Sequence, residues 1–310
     1  MQKLEATACI FPGQASQYVG MGKDLFDNIS AAKEMFDRAN DILHFDLKKI
    51  CFEGPEEELK QTRVTQPAIF VHSCIVFSLL ERIPSAAAGH SLGEYSALVA
   101  ARALSFEEGL RLVQRRAELM QESGEKYVGT MAAIVGASEE LVREICDEAS
   151  SKGIVQPANF NSPGQIVISG SVDGVREAMQ IAKTKGVRIV KELVVSGAFH
   201  SPLMQYAQDG LREYLDSAKI EDAVFPVYAN VTGEAVQRAE MIRDMLFRQV
   251  TSAVLWEKSI RAMFADGVKR MIETGPGNVL QGLVKRTEST INLSGVDTYA
   301  QLMAIQEAGE

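Results

Sequence analysis

Nothing in the 310 residues of this chain approaches the ~20 consecutive apolar residues that a helix needs to cross a bilayer, so no membrane span is expected. The start, Met1 to Phe11, holds one lysine and an apolar patch only from Ala6 onward. It is too short for a signal-peptide core and reads as a first strand. Positive charge is also scarce. Thirty-two Lys and Arg against 41 Asp and Glu leave a net charge of -9, which argues against nucleic acid and anionic membrane as partners, since both select basic surfaces. Cysteine is sparse: Cys9, Cys51, Cys74 and Cys146 stand far apart in apolar segments, without the spacing of metal or redox pairs. They read as buried thiols of a reducing compartment, so the expected location is cytoplasmic. Internal repeats and low-complexity tracts are missing, and 46% hydrophobic with 24% charged residues is a globular balance.

What the chain does have is Gly89-His90-Ser91-Leu92-Gly93, set between a short apolar run, Ala86 to Ala88, and a helix-compatible stretch, Glu94 to Ala101. A Gly-x-Ser-x-Gly pentad between strand and helix lets the chain reverse in a strained turn that has no room for flanking side chains and pushes the hydroxyl to its tip. The helix behind it offers unpaired N-H groups, Leu92 among them, where an oxyanion would form. A chance pentad in a Gly/Ala-rich turn is the alternative, so the rest of the chain has to decide.

The expected architecture is α/β. A mostly parallel, helix-covered, hydrolase-like sheet is implied by alternating strands and helices, from Ala6 to Phe11 through Gln66 to Leu80 and Ala86 to Ala88 to Phe225 to Asn230 and Val268 to Glu273. Residues 127–196 stand apart. Strand Met131 to Val135, helix Glu139 to Ser150 with Ser138 as N-cap, strands Ile154 to Asn161 and Gln165 to Ser169 about Ser162-Pro163-Gly164, a second helix ending at Gly186 and strand Val187 to Val195 give the order βαββαβ. That is a ferredoxin-like small subdomain inserted between a first part, residues 1–126, and a second part, residues 197–310, of the large subdomain. The residues after Ala300 read as a frayed helix.

A serine hydroxyl needs a base, most often histidine, and the chain has only four. His44 and His72 lie in apolar stretches and read as packing residues; His90 adjoins Ser91 but diverges from it on a tight turn. His200 remains, in a loop that ends in a helix start with Ser201 as N-cap and Pro202 at the first helical position. A hydrolase triad would add a carboxylate between the two in sequence. Asp147 and Asp173 are the candidates there, but both fall on helices of the insert, which leaves some other acceptor, such as a backbone carbonyl, for the imidazole. On the helix from Phe106 to Gln121, opened by Ser105 and Glu108 as a capping box, a turn of ~100° per residue puts Arg116 inside the apolar half. A guanidinium there is either a buried ion pair, with Glu94 or another core acid, or a clamp on a substrate carboxylate. Gln249 falls in register with Ile242, Met245 and Leu246 and raises the same question more weakly.

Taken with Phe11-Pro12-Gly13-Gln14-Ala15-Ser16-Gln17, Asn159-Phe160-Asn161-Ser162-Pro163-Gly164-Gln165, Asn230-Val231-Thr232-Gly233 and Gly275-Pro276-Gly277, these residues resemble the malonyl-CoA:acyl carrier protein transacylase family of bacterial fatty acid synthesis. The resemblance spans essentially the whole chain. It implies Ser91 as acylated nucleophile, His200 as base, the backbone carbonyl of Gln249 as the imidazole's acceptor, Arg116 on the malonyl carboxylate, and the N-H groups of Leu92 and Gln14 as oxyanion donors. Phe199, the residue that malonyl-selective relatives tend to show, and His90 would line the substrate side. Malonyl-CoA and acyl carrier protein are the implied partners, with no metal or redox cofactor. One departure stands out: Ala15 occupies a position that is usually glycine, which would strain the loop if a positive φ is needed there. Because carrier proteins are acidic, Lys185, Arg188 and Lys191 are candidate docking residues. The rival enzyme reading is a serine hydrolase on the same elbow.

Overall fold

The computed structural model describes residues 6–80 and 83–307. Its larger sheet contains β1 (Thr7–Phe11), β2 (Ala86–Gly89), β7 (Val227–Tyr228), β8 (Ala235–Val236), β9 (Arg270–Thr274) and β10 (Asn292–Val296), in the spatial order β10-β9-β1-β2-β7-β8. Every pairing is parallel except the short β7–β8 edge. Helices cover both faces, so the central strands are apolar along their length: Ala86, Ala87 and Ala88 of β2 are all buried. Their small side chains let the helix Gly93–Ala100 cross close behind the strand.

The smaller sheet is formed by β3 (Gly129–Val135), β4 (Val155–Ser162), β5 (Gln165–Ser171) and β6 (Ile189–Glu192), ordered β4-β5-β3-β6 with antiparallel neighbours throughout. Two helices, Glu139–Ala149 and Val172–Thr184, sit between them in the chain, which completes βαββαβ. Ser138 and Ser171 cap these helices, accepting from Leu141 N and Gly174 N. Their apolar faces, with Val142, Ile145, Val175 and Ala178, close over the sheet as a core of its own.

Three expectations shift. The strand read as Val187 to Val195 shrinks to β6, because it lies at the sheet edge and pairs only with β3; beyond Leu193, which still donates to Met131 O, Val194 is fully exposed. The strand read as Phe225 to Asn230 contracts to β7. The frayed end after Ala300 is instead the helix Tyr299–Glu307, docked through buried Leu302 and Ile305, with residues 308–310 outside the described residues. Residues 1–5, part of the start read as a first strand, also lie outside them.

Candidate active site

The carboxyl ends of β1, β2 and β7 adjoin one another, and the turns leaving β1 and β2 carry Gln14, His90, Ser91 and Leu92, the usual place for a site in an open parallel sheet. The turn after β2 is built on two glycines. A Cβ on Gly89 would stand 1.9 Å from the backbone of Gly93, and one on Gly93 would stand 2.1 Å from Phe11 O. Strand, turn and helix therefore touch backbone to backbone. Ser91 at the tip is forced to φ 51°, and two other non-glycine residues of the neighbourhood share the left-handed region, His200 at 59° and Ala15 at 81°. Ala15 thus does adopt the conformation that makes alanine costly at this site, while its N-H is held by Gln17 Oε1 at 2.9 Å. The turn after β1 packs against the elbow: a Cβ on Gly13 would lie 2.4 Å from His90 O.

Ser91 Oγ lies 2.8 Å from His200 Nε2. On the far side of the ring, Nδ1 faces two main-chain carbonyls, Gln249 O at 2.9 Å and Ser252 O at 3.1 Å. Those acceptors require the proton on Nδ1, leaving the Nε2 lone pair to receive one from the serine. The carboxylate of a conventional triad is thereby replaced by backbone, and neither Asp147 nor Asp173 takes part. His200 is only 3% exposed, and burial, followed by the nearby Arg116 cation, pushes its imidazole down to about 3. The imidazole is therefore neutral at rest.

Arg116, on the helix Phe106–Lys126, is 1% exposed, as its place on the wheel required. Its Nη1 donates to Gln66 Oε1 at 2.6 Å, and Nη2 donates to Gln249 Oε1 at 2.9 Å and to Ser91 Oγ at 3.0 Å. All of these acceptors are neutral, and the ion pair with Glu94 does not form. Glu94 is reached through Gln249, whose Nε2 donates to Glu94 Oε2 at 2.9 Å and to Ser91 O at 3.0 Å. Glu94 Oε2 also accepts from Asn230 N at 2.9 Å, and the Asn230 side chain bridges the elbow, accepting from Ser91 N at 2.6 Å and donating to Gly89 O at 2.7 Å. Burial raises the Glu94 carboxyl to about 7, against the pull of these donors and of Arg116.

The main-chain N-H groups of Leu92 and Gln14 have no hydrogen-bond partner among the described residues, as donors awaiting an oxyanion would. Gln14 leans through Nε2 on Thr62 Oγ1 at 3.5 Å. His90 turns away from the hydroxyl, with Nε2 2.8 Å from Asn161 Oδ1 and its ring beside Trp256. Phe199 is 6% exposed and packs into the main core. Gln66 and Ser252 were not singled out from sequence. Gln66 is buried on the helix Thr62–Leu79 beside other buried polar residues, Thr62, Thr65, His72 and Ser73, so it does not stand out there as Arg116 does on its own helix. A lone acceptor carbonyl such as that of Ser252 leaves no signal in a side-chain pattern. Among the described residues, no helix is long and apolar enough to cross a membrane.

The acyl transferase domain family matches residues 8–303. The chain is 44% identical over 310 residues to the malonyl CoA-acyl carrier protein transacylase of Bacillus subtilis (strain 168), covering 98% of this chain and 97% of that one. Identity to the Staphylococcus aureus (strain COL) protein of the same name is 40% over 306 residues, 98% and 99% of the two chains. Among solved structures, the malonyl CoA-acyl carrier protein transacylase of Coxiella burnetii superposes with a TM-score of 0.94 at 38% identity, covering 97% of each chain. A malonyl-transacylase in complex with a type II PKS acyl-carrier protein gives a TM-score of 0.94 at 39% identity, over 97% of this chain and 99% of that one.

Proposed function

We infer that this chain, which belongs to the acyl transferase domain family, moves a malonyl group from malonyl-CoA to the pantetheine thiol of acyl carrier protein in fatty acid biosynthesis. Ser91 gives its proton to His200 Nε2 while Oγ attacks the thioester carbonyl. The negative charge that develops on the carbonyl oxygen is taken up by the N-H groups of Leu92 and Gln14. As the carbon-sulfur bond breaks, the imidazolium returns its proton to the departing CoA thiolate, and malonyl stays as an ester on Ser91. The pantetheine thiol then loses its proton to His200, attacks the ester and leaves as the malonyl thioester, with the proton going back to Ser91.

Arg116 holds the free carboxylate, exchanging neutral acceptors for an anion in a charge-assisted fork. We read Phe199, at the edge of the core beside His200, as the bulk that leaves little room for an α-methyl group, and His90 as shaping the substrate side through its place in the elbow, since its ring is turned to Asn161. Every proton and electron pair moves between side chains and the two thiols, so no cofactor enters the scheme. The buried thiols fit a cytoplasmic enzyme, and we read residues 127–196 as an insert in a body formed by residues 1–126 and 197–310.

The reading is carried by one observation: Ser91 Oγ meets both His200 Nε2, at 2.8 Å, and Arg116 Nη2, at 3.0 Å. Mixing the protein with malonyl-CoA and weighing it intact tests it. A malonyl adduct that vanishes in Ser91→Ala and discharges onto added carrier is expected; free malonate released equally fast without carrier would make the protein a hydrolase.

A further inference from the structure

Glu94 has no task in the chemistry above, yet it is 2% exposed and stands in the first turn of the helix behind the nucleophile. A carboxylate is seldom left in such a place without a role in holding something. Its single oxygen Oε2 serves two donors that belong to different halves of the site, Asn230 N and Gln249 Nε2, both at 2.9 Å.

We propose that Glu94 is the positioning residue that holds the nucleophile elbow and the acyl-carboxylate clamp in one frame. It rests on the malonyl reading of Arg116. Towards the clamp, Glu94 joins Ser91 O in fixing which way the Gln249 amide faces. With Nε2 pinned between Glu94 Oε2 and Ser91 O, Oε1 is left to accept from Arg116 Nη2. The reversed amide would present its carbonyl to a carboxylate and its NH2 to a guanidinium, two repulsive contacts in place of two attractive ones. Towards the elbow, Glu94 anchors the main chain of Asn230, whose side chain ties Ser91 N to Gly89 O across the strained turn. One acceptor atom thus sets both the tilt of the guanidinium and the seat of the serine. What the arrangement needs is an oxygen at that point, whether or not it carries charge. An amide oxygen can accept both bonds as well.

Three variants test this by the ratio of malonyl-CoA to acetyl-CoA turnover, which a general loosening of the fold lowers equally in both terms and so leaves unmoved. Glu94→Gln, which keeps an acceptor in place, is expected to stay within about threefold of the unsubstituted protein in kcat/KM and in the ratio. Glu94→Met fills the volume without an acceptor and is expected to lose about a hundredfold in kcat/KM and at least tenfold in the ratio. A folded Glu94→Met with an unchanged ratio would overturn the proposal. Should Glu94→Met not fold, a cycle with Glu94→Asp and Gln249→Leu decides, since the leucine variant keeps the carbonyl that holds His200. Glu94→Asp alone should lower the ratio about fivefold and add nothing on the leucine background; equal losses on both backgrounds would show that Glu94 does not act through Gln249. If Arg116→Ala itself leaves the ratio unchanged, the clamp reading has failed. If that variant collapses the ratio while the Glu94 variants do not, only the present inference has.

Discussion

Replacing Arg116 by alanine removes a guanidinium that is 1% exposed and whose hydrogen-bond partners, Gln66, Gln249 and Ser91, are all uncharged. A malonyl carboxylate placed against it would gain about 4 kcal/mol of Coulomb energy at 4 Å and an effective dielectric constant of about 20. Stripping water from both ions offsets much of that gain. What remains is the net worth of hydrogen bonds to a charged group, about 1.5 to 3 kcal/mol, which is about ten- to a hundredfold in relative kcat/KM. The truncation also leaves a cavity and three acceptors without a donor, so absolute rates should fall for every substrate. The ratio of malonyl-CoA to acetyl-CoA turnover removes this shared loss, because acetyl-CoA has no carboxylate to hold. Steady-state kinetics with both thioesters should therefore show the preference for malonyl falling by about ten- to a hundredfold, with Arg116→Lys, which keeps the charge and loses the fork, falling in between. A ratio unchanged within about twofold would refute the clamp.

The same cation is one of the influences that depress His200, after burial. Arg116→Met should therefore raise the imidazole's pKa, so that the base becomes protonated at higher pH and the acid limb of kcat/KM for acetyl-CoA moves upward; a downward or absent shift counts against this coupling. Ala15→Gly relieves a left-handed alanine at φ 81° and should raise the melting temperature by about 1 to 2 °C, the αL penalty outweighing the extra chain entropy of glycine. A lower melting temperature would mean that the alanine is unstrained. For carrier docking, Lys185 is already engaged by Glu144 and Glu148, both at 2.7 Å, whereas Arg188 and Lys191 are exposed. Reversing the charge of Arg188 and Lys191 together should raise the carrier's KM and flatten its salt dependence without altering transfer from malonyl-CoA to Ser91; an unaltered KM excludes this face.

The parts of the site that were legible in sequence are those that violate a local pattern. Arg116 breaks an apolar arc, Ser91 sits between glycines that nothing larger could replace, and His200 was left after three other histidines were assigned elsewhere. The βαββαβ order was legible because the Ser138 cap and the Pro163-Gly164 turn punctuate its alternation. Strand ends were harder to see: Val187 to Val195 carries β-branched residues from one end to the other, but only pairing with β3 decides where β6 stops. The supporting network was hidden for a different reason. Asn230 and Gln66 act through contacts spanning 139 and 50 positions of chain, and local periodicity carries no record of such distances.

The outer strand of the smaller sheet is stitched directly to the segment that seats the imidazole. Phe160 N donates to Val254 O and Val254 N to Ala158 O, both at 2.9 Å, while Gln156 Nε2 reaches His200 O at 3.0 Å. Swinging the smaller sheet away from the larger one would have to break these bonds and displace the histidine with them. Both pantetheine arms must reach the same pair, Ser91 Oγ and His200 Nε2, whose atoms lie 2.8 Å apart. The first thiol has to vacate it before the second arrives, and free CoA should accordingly compete with the carrier for the acylated protein.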